Sequence, residues 1–341
     1  MSGFKPMKND FWDLVIFIIR ELINLSSSME VISHIQSIPE GQKTILTLGM
    51  FDGVHKGHQE IIQYLNGLSR HHNEKSCLLT FWPHPRLVLH QDFDLKLLTL
   101  HEEKIKLLEH FDLDLLYVQP FDLNFSRMSS IEFVRDFLVR KLHVHTLIIG
   151  HDHRFGRNRE GDFELLQELA ELYKFKVIQL DAIFENNLPI SSTKIRSALI
   201  EGNLTYANEA LGYCYTITGK VIHGDGIGRK LGFPTVNLEI SKLKLLPKDG
   251  VYGVQLFLKG EQFYGLLNIG FRPTINQPEH RVEVYILDFD GDLYDEEIEI
   301  QLLTRIRDER KFENKDKLSD QIKKDELYFR NYIQSHGNQN L

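Results

Sequence analysis

A chain of 341 residues is long enough for about two domains. With 42% hydrophobic and 26% charged residues it can bury a core, which excludes a disordered chain. A formal net charge of −8 argues against the basic surface that a nucleic-acid partner needs, so small molecules are the expected partners and protein partners stay open. Cys77 and Cys214 stand far apart and form no CxxC pair, which argues against a disulfide framework or a thiolate zinc site and points to a reducing, cytoplasmic setting.

At the N-terminus, residues 11–19 are apolar, but Asp13, Arg20 and Glu21 interrupt the run. It falls short of the ~20 apolar residues that a membrane span needs, and no small-residue cleavage site follows. No membrane association is expected. Ser26-Ser27-Ser28 precedes Met29 and a fresh apolar start, so residues 1–28 are expected to be an extension outside the fold.

Residues 43–202 alternate two textures. Short apolar runs at 44–49, 76–82, 113–118, 144–150 and 175–180 suit strands buried on both faces. Amphipathic runs at 59–68, 102–110 and 129–142 suit helices, the last capped by Ser129 or Ser130. The alternation predicts a Rossmann-like α/β domain, a parallel sheet covered by helices. Leu95, Leu97, Leu98 and Leu100 read as core or lid packing.

The first strand runs into Gly49-Met50-Phe51-Asp52-Gly53-Val54-His55-Lys56-Gly57-His58, followed by a helix. Glycines let the backbone approach a ligand, and a helix start offers unpaired N–H groups to phosphate. Two imidazoles at that start can donate to a triphosphate and stabilise charge developing on its oxygens, with no covalent intermediate. Near the end of the same domain, Ile190-Ser191-Ser192-Thr193-Lys194-Ile195-Arg196 opens another helix. Taken alone this is an ordinary serine cap with a solvated arginine. Beside the histidine loop it becomes a second phosphate-binding helix start, with Arg196 as a planar donor one turn in. His143/His145 and His151/His153 read as ordinary hydrogen-bonded pairs, because no third ligand is placed to complete a metal site.

After about residue 211 strand-like runs follow one another without helices, at 213–222, 251–258, 262–269, 282–289 and 297–303. Lys259-Gly260 and Asp290-Gly291 are turn signals between runs expected to pair, and a charged helix at 315–332 closes the chain. The expectation is an antiparallel β-barrel with a C-terminal helix. Boundaries are expected at 29–205 for the first domain, 206–213 for a linker and 214–338 for the second. In the barrel, Gly224, Gly226, Gly228 and Arg229 can wrap a phosphate. Thr235 and Asn237, two apart on an extended segment, put neutral oxygens on one face, which suits a magnesium ion shared with phosphate. Glu283 on an alternating strand can act as a general base toward an alcohol.

These motifs resemble the bifunctional riboflavin kinase/FAD synthetase family. Residues 49–58 resemble its nucleotidyltransferase signature, and residues 80–85, 150–156 and 190–196 resemble its further motifs. Pro234-Thr235-Val236-Asn237, residues 268–274, Val282-Glu283 and residues 307–312 resemble its kinase motifs. The resemblance runs from about Met29 to the C-terminus. It implies phosphorylation of riboflavin to FMN by the second domain and adenylylation of FMN to FAD by the first, with ATP as co-substrate and Mg2+ as cofactor. It places His55 and His58 on the ATP phosphates, with Gly49, Phe51, Asp52, Gly57, Asp152 and Phe155 around nucleotide and flavin phosphate. Ser191, Ser192, Thr193 and Arg196 close over the triphosphate. Gly228, Arg229, Thr235 and Asn237 hold the second nucleotide, Thr235 and Asn237 ligate the metal, and Glu283 deprotonates the riboflavin 5′-hydroxyl. His153 stands where the family usually has Phe, and Tyr285 where a His is common. Two other readings compete: an adenylyltransferase for a different phosphorylated substrate with an accessory barrel, and a flavin-binding regulatory protein without catalysis.

Overall fold

The computed structural model describes residues 29–33, 38–39, 41–89, 94–150, 154–181, 184–185, 188–224, 228, 232–272 and 279–336. The expected extension 1–28 lies outside them. The described residues divide into two compact units: one within 29–50, 59–91 and 105–181, the other within 51–58, 92–104 and 182–336. Compactness therefore follows chain order only in part, since three stretches from the expected first domain group with the barrel.

In the first unit, β1 (Glu30–Ser33), β2 (Thr44–Leu48), β3 (Lys75–Trp82), β4 (Leu115–Pro120), β5 (Val144–Gly150) and β6 (Lys176–Leu180) form a six-stranded sheet in the order β1-β4-β3-β2-β5-β6. Every pairing is parallel. All five residues of β2 are buried, as a strand covered on both faces requires. The chain steps from β2 to β3 on one side and reaches β5 on the other, so the order reverses at β2. Open α/β sheets bind ligands beyond the carboxyl ends of strands at such a point, and β2 ends where the histidine loop begins. The linking helices include α1 (Lys56–His72) and α2 (His101–Glu109). The helix expected at 129–142 starts at a Ser129 cap with a reciprocal Glu132 capping box. It then widens into a π-helix, Phe133–Val139, whose Phe133, Val134, Phe137 and Leu138 face the core. A longer helix, α3 (Phe163–Tyr173), precedes β6. Cys77 is a packing thiol in β3, pushed up to about 12 by burial and then by the Asp114 carboxylate.

The second unit opens with the two-residue strands β7 (Phe184–Glu185) and β8 (Leu188–Pro189) and the helices α4 (Ser192–Glu201) and α5 (Leu204–Leu211). A closed barrel follows, built from β9 (Thr216–Ile222), β10 (Thr235–Ile240), β11 (Gly250–Leu258), β12 (Glu261–Arg272), β13 (Glu279–Ile286) and β14 (Glu297–Arg307) in the order β10-β13-β12-β11-β14-β9. Every neighbouring pair is antiparallel and β9 pairs β10, which removes the exposed edge. Ile217, Val254, Leu267, Val284 and Ile300 fill the inside, in one cluster with Leu199 and Leu211 of α4 and α5. The final helix α6 (Lys315–His336) buries Phe329 against Leu266 and Leu287.

Lys259 and Gly260 alone join β11 to β12, both at positive φ (53° and 85°), as a primed hairpin turn demands. Asp290-Gly291 is different. β13 pairs with β10 and β12, and β14 with β11 and β9, so residues 287–296 form a crossing connection and not the expected hairpin. An Asp-Gly turn signal marks where a strand ends; barrel closure decides which strand it pairs with next.

Candidate active sites

The histidine loop is held in a conformation that side chains avoid. Phe51 and Val54 have positive φ (48° and 32°), as does Gly53 (82°). Non-glycine residues persist there only when their surroundings over-determine them. Here the Asp52 carboxylate accepts hydrogen bonds from the Leu98 and Thr99 N–H groups (3.2 and 3.0 Å) and pairs with Arg196. The Gly53 N–H donates to Thr99 Oγ1 at 3.0 Å. Ser192 Oγ donates to the Asp52 carbonyl at 2.9 Å, and the Tyr213 hydroxyl to the Gly53 carbonyl at 2.7 Å. A Cβ on Gly53 would stand 2.7 Å from Leu98 Cδ1, so a side chain there needs both a strained backbone and a shift of Leu98.

That scaffold brings His55 and His58 face to face. Their rings stack with centroids 3.7 Å apart and planes 15° apart, and Phe51 closes on His58 at 4.8 Å. Burial lowers His55 to about 4, opposed by Asp52 and reinforced by Arg196. Burial also holds His58 well below its ordinary value, followed by His55 and Lys104. Both rings are therefore neutral at pH 7, each with one N–H to donate. Buried His58 Nδ1 and Arg196 Nε have no hydrogen-bond partner among the described residues. Buried polar atoms are rarely left so, and a phosphate oxygen is the partner that this chemistry fits.

The expected partners fall into groups. Ser191 caps α4, accepting from the Lys194 N–H at 3.4 Å, and Ser192 is spent on the loop backbone. What α4 can offer an anion is thus its first-turn N–H groups, which include that of Thr193. Gly49 donates its N–H to the Leu79 carbonyl at 3.0 Å and ends the strand; Gly57 lies in the first turn of α1. Asp52 and Arg196 hold each other, so Asp52 acts on the loop's shape. Phe155 is a core residue of the first unit, 6.0 Å from Phe133. Asp152, His153 and Arg229 lie outside the described residues. Sequence reasoning missed Lys104, buried in the first turn of α2 and lowered to about 8 by burial against the pull of Asp52. Nothing in the sequence sets it apart, since a lysine in the first turn beside Glu102 and Glu103 reads as one more charge of a solvated helix face.

The barrel holds the second site. A cavity of about 320 Å³ is lined by Gly228, Thr235, Asn237, Asn268, Arg281 and Glu283, among others. Asn237 of β10 and Asn268 of β12 both stand opposite Glu283 of β13, so strand register makes one polar row. Glu283 takes an ion pair from Arg281 at 3.0 Å and lies 3.5 Å from Thr235 Oγ1. A Cβ on Gly224 would land on the Asn237 amide, and one on Gly228 on the Phe233 carbonyl, 3.0 Å from Thr235 Oγ1. Bare backbone is thus pressed against the proposed metal ligands. Across the cavity Asp325 of α6, also missed from sequence, takes Arg307 through Nε and Nη2, both at 2.9 Å. The Arg307 and Arg310 guanidinium groups lie over Phe312 at 5.7 and 4.9 Å.

Residues 37–194 match the FAD synthetase family and residues 211–333 the riboflavin kinase family. A bifunctional riboflavin kinase/FMN adenylyltransferase of Escherichia coli (strain K12) is 37% identical over 89% of this chain and 98% of its own length. Its counterpart in Buchnera aphidicola subsp. Schizaphis graminum is 37% identical over 87% of this chain and 96% of its own. The chain belongs to the bifunctional riboflavin kinase/FMN adenylyltransferase family. It carries both enzyme domains of that family, FAD synthetase first and riboflavin kinase second, and an accessory role for the barrel is thereby set aside. A crystal structure described as a macrolide-efflux protein from Streptococcus pneumoniae shares the fold, with a TM-score of 0.81, 31% identity and coverage of 88% of this chain and 99% of that one. Among the described residues of this chain no helix is long and apolar enough to cross a membrane.

Proposed function

We propose that the His55–His58 loop, with the start of α4, adenylylates FMN, and that the barrel cavity phosphorylates riboflavin. In the first reaction an FMN phosphate oxygen attacks the α-phosphorus of ATP and pyrophosphate leaves. The nucleophile is already ionised, so the protein needs to position it and to stabilise charge. The stacked imidazoles supply N–H donors to the phosphate oxygens and Arg196 a fixed cation beside them. The unpartnered His58 Nδ1 and Arg196 Nε are the observation that carries this assignment.

In the second reaction Glu283 takes the proton of the riboflavin 5′-hydroxyl as its oxygen attacks the γ-phosphorus of ATP, the bond to the β-phosphate oxygen breaks and ADP leaves; Arg281 orients the Glu283 carboxylate. Thr235 and Asn237 fit a Mg2+ ion. Both are neutral oxygen donors against a glycine cradle, and the described residues contain no group of three or more His, Cys, Asp or Glu that could hold a cation by themselves. A hard cation that takes its remaining ligands from phosphate and water matches that set. Bound there, it neutralises charge on the transferred phosphoryl group. In this reading adenylylation belongs to the stretch 29–205 and phosphorylation to 214–338, and the enzyme works in the cytoplasm. Incubation of the purified chain with riboflavin, ATP and magnesium, with flavins separated over time, tests the whole reading: FMN must appear first and FAD follow. Flavin binding without turnover would leave a regulatory protein.

A further inference from the structure

The segment that clamps the histidine loop is itself clamped by the barrel half of the chain. Leu98 and Thr99 give their N–H groups to Asp52, and the Leu98 carbonyl accepts Lys244 Nζ at 2.7 Å. Lys244 Nζ also pairs with Glu103 at 2.7 Å, its side chain 1% exposed, and lies 4.6 Å above the Tyr215 ring. Glu103 accepts the Leu100 N–H at 2.8 Å and the Thr218 N–H of β9 at 3.2 Å. Backbone bonds run alongside, Leu97 N–H to the Leu243 carbonyl at 2.7 Å and Leu245 N–H to the Leu97 carbonyl at 2.9 Å. One buried ammonium, in the connection between β10 and β11, thus ties Leu98, which holds the strained loop through Asp52, to Glu103 at the start of α2, which in turn accepts from β9. Riboflavin phosphorylation uses none of these groups, and a buried charge pair is a costly way merely to fill space.

We infer that Lys244, with Glu103, is a positioning residue for FMN adenylylation: a barrel residue that holds the catalytic loop of the other reaction in register. The inference rests on assigning adenylylation to His55 and His58. Lys244→Met alone strands a buried carboxylate, so the double variant Lys244→Met/Glu103→Gln keeps the test open if the single variant does not fold. Both activities are measured on one preparation of the full chain. The expected result is a fall of at least tenfold in kcat for adenylylation, a KM for ATP changed by less than threefold, and riboflavin phosphorylation within twofold of the parent. Adenylylation within twofold of the parent overturns the inference. A parallel loss of both activities overturns it too, because Lys244 then only supports the barrel. His58→Ala runs alongside; if it retains adenylylation, the assignment of the site has failed, and not the strut.

Discussion

Two sites in one chain handle ATP with different equipment. The histidine loop offers buried neutral imidazoles on a strained backbone, and its carboxylate, Asp52, is consumed by Arg196 and two N–H groups. The barrel cavity instead is lined by a carboxylate, Glu283, with its partner Arg281 in the same wall and the neutral oxygens of Thr235 and Asn237 beside it. The nucleophiles account for the difference. A phosphate attacks already ionised and needs no base; an alcohol carries a proton that something must remove. The kit of residues follows the attacking group more than the nucleotide.

Replacement of Glu283 by Gln keeps the shape and removes the base. Riboflavin phosphorylation should fall about 10²- to 10⁴-fold and recover in part at raised pH, while supplied FMN is still adenylylated. A wild-type phosphorylation rate in Glu283→Gln would remove the proposed asymmetry. On the other side, His58→Ala should lower FAD formation by about 10²- to 10³-fold while FMN accumulates, as loss of a transition-state donor does. Flavin separation by chromatography reads both variants at once.

Much of this was legible in the sequence, for uneven reasons. The sheet was readable because strands buried on both faces make short, uncharged, β-branched and apolar runs, such as Thr44–Leu48. The loop was readable because glycine spacing and paired histidines sit together along the chain. What the sequence could not show is what fixes that loop. Thr99, Lys104 and Tyr213 are remote from it in sequence, and each belongs to a residue type that is unremarkable where it stands. β10 read only as an extended segment, since glycines and a proline precede it; its register opposite β13, which aligns Asn237 with Glu283, is a property of the closed barrel. Asp325 looked like one more charge on a solvated helix until packing buried it.

Asp52→Asn probes the scaffold instead of the chemistry. The amide N–H₂ would oppose either the N–H groups of Leu98 and Thr99 or the Arg196 guanidinium, leaving a buried donor unmatched at about 1–3 kcal/mol. The expected outcome is a lower Tm and roughly tenfold slower FAD formation, with riboflavin phosphorylation unchanged; calorimetry and the flavin assay check the two halves.

The smallest effect is a pH dependence that separates the loop from the barrel. His55 is lowered from 6.5 to about 4 in the fold, chiefly by burial. Between those values the unfolded chain binds a proton that the folded chain refuses, so stability rises with pH across that window. The contribution is complete above pH 6.5 and is lost as pH falls toward 4, by up to roughly 3 kcal/mol. Carboxylates elsewhere titrate in the same range, so the informative quantity is a difference: Tm should fall more steeply for the parent than for His55→Gln between pH 6.5 and 4.5. ATP sharpens the test, because a polyanion beside the rings favours their charged forms. Binding at pH 5.5 should then take up protons in the parent and fewer in His55→Gln, measurable as a dependence of the calorimetric binding heat on the ionisation heat of the buffer. Equal proton uptake in both proteins would mean that the triphosphate does not reach the stacked imidazoles.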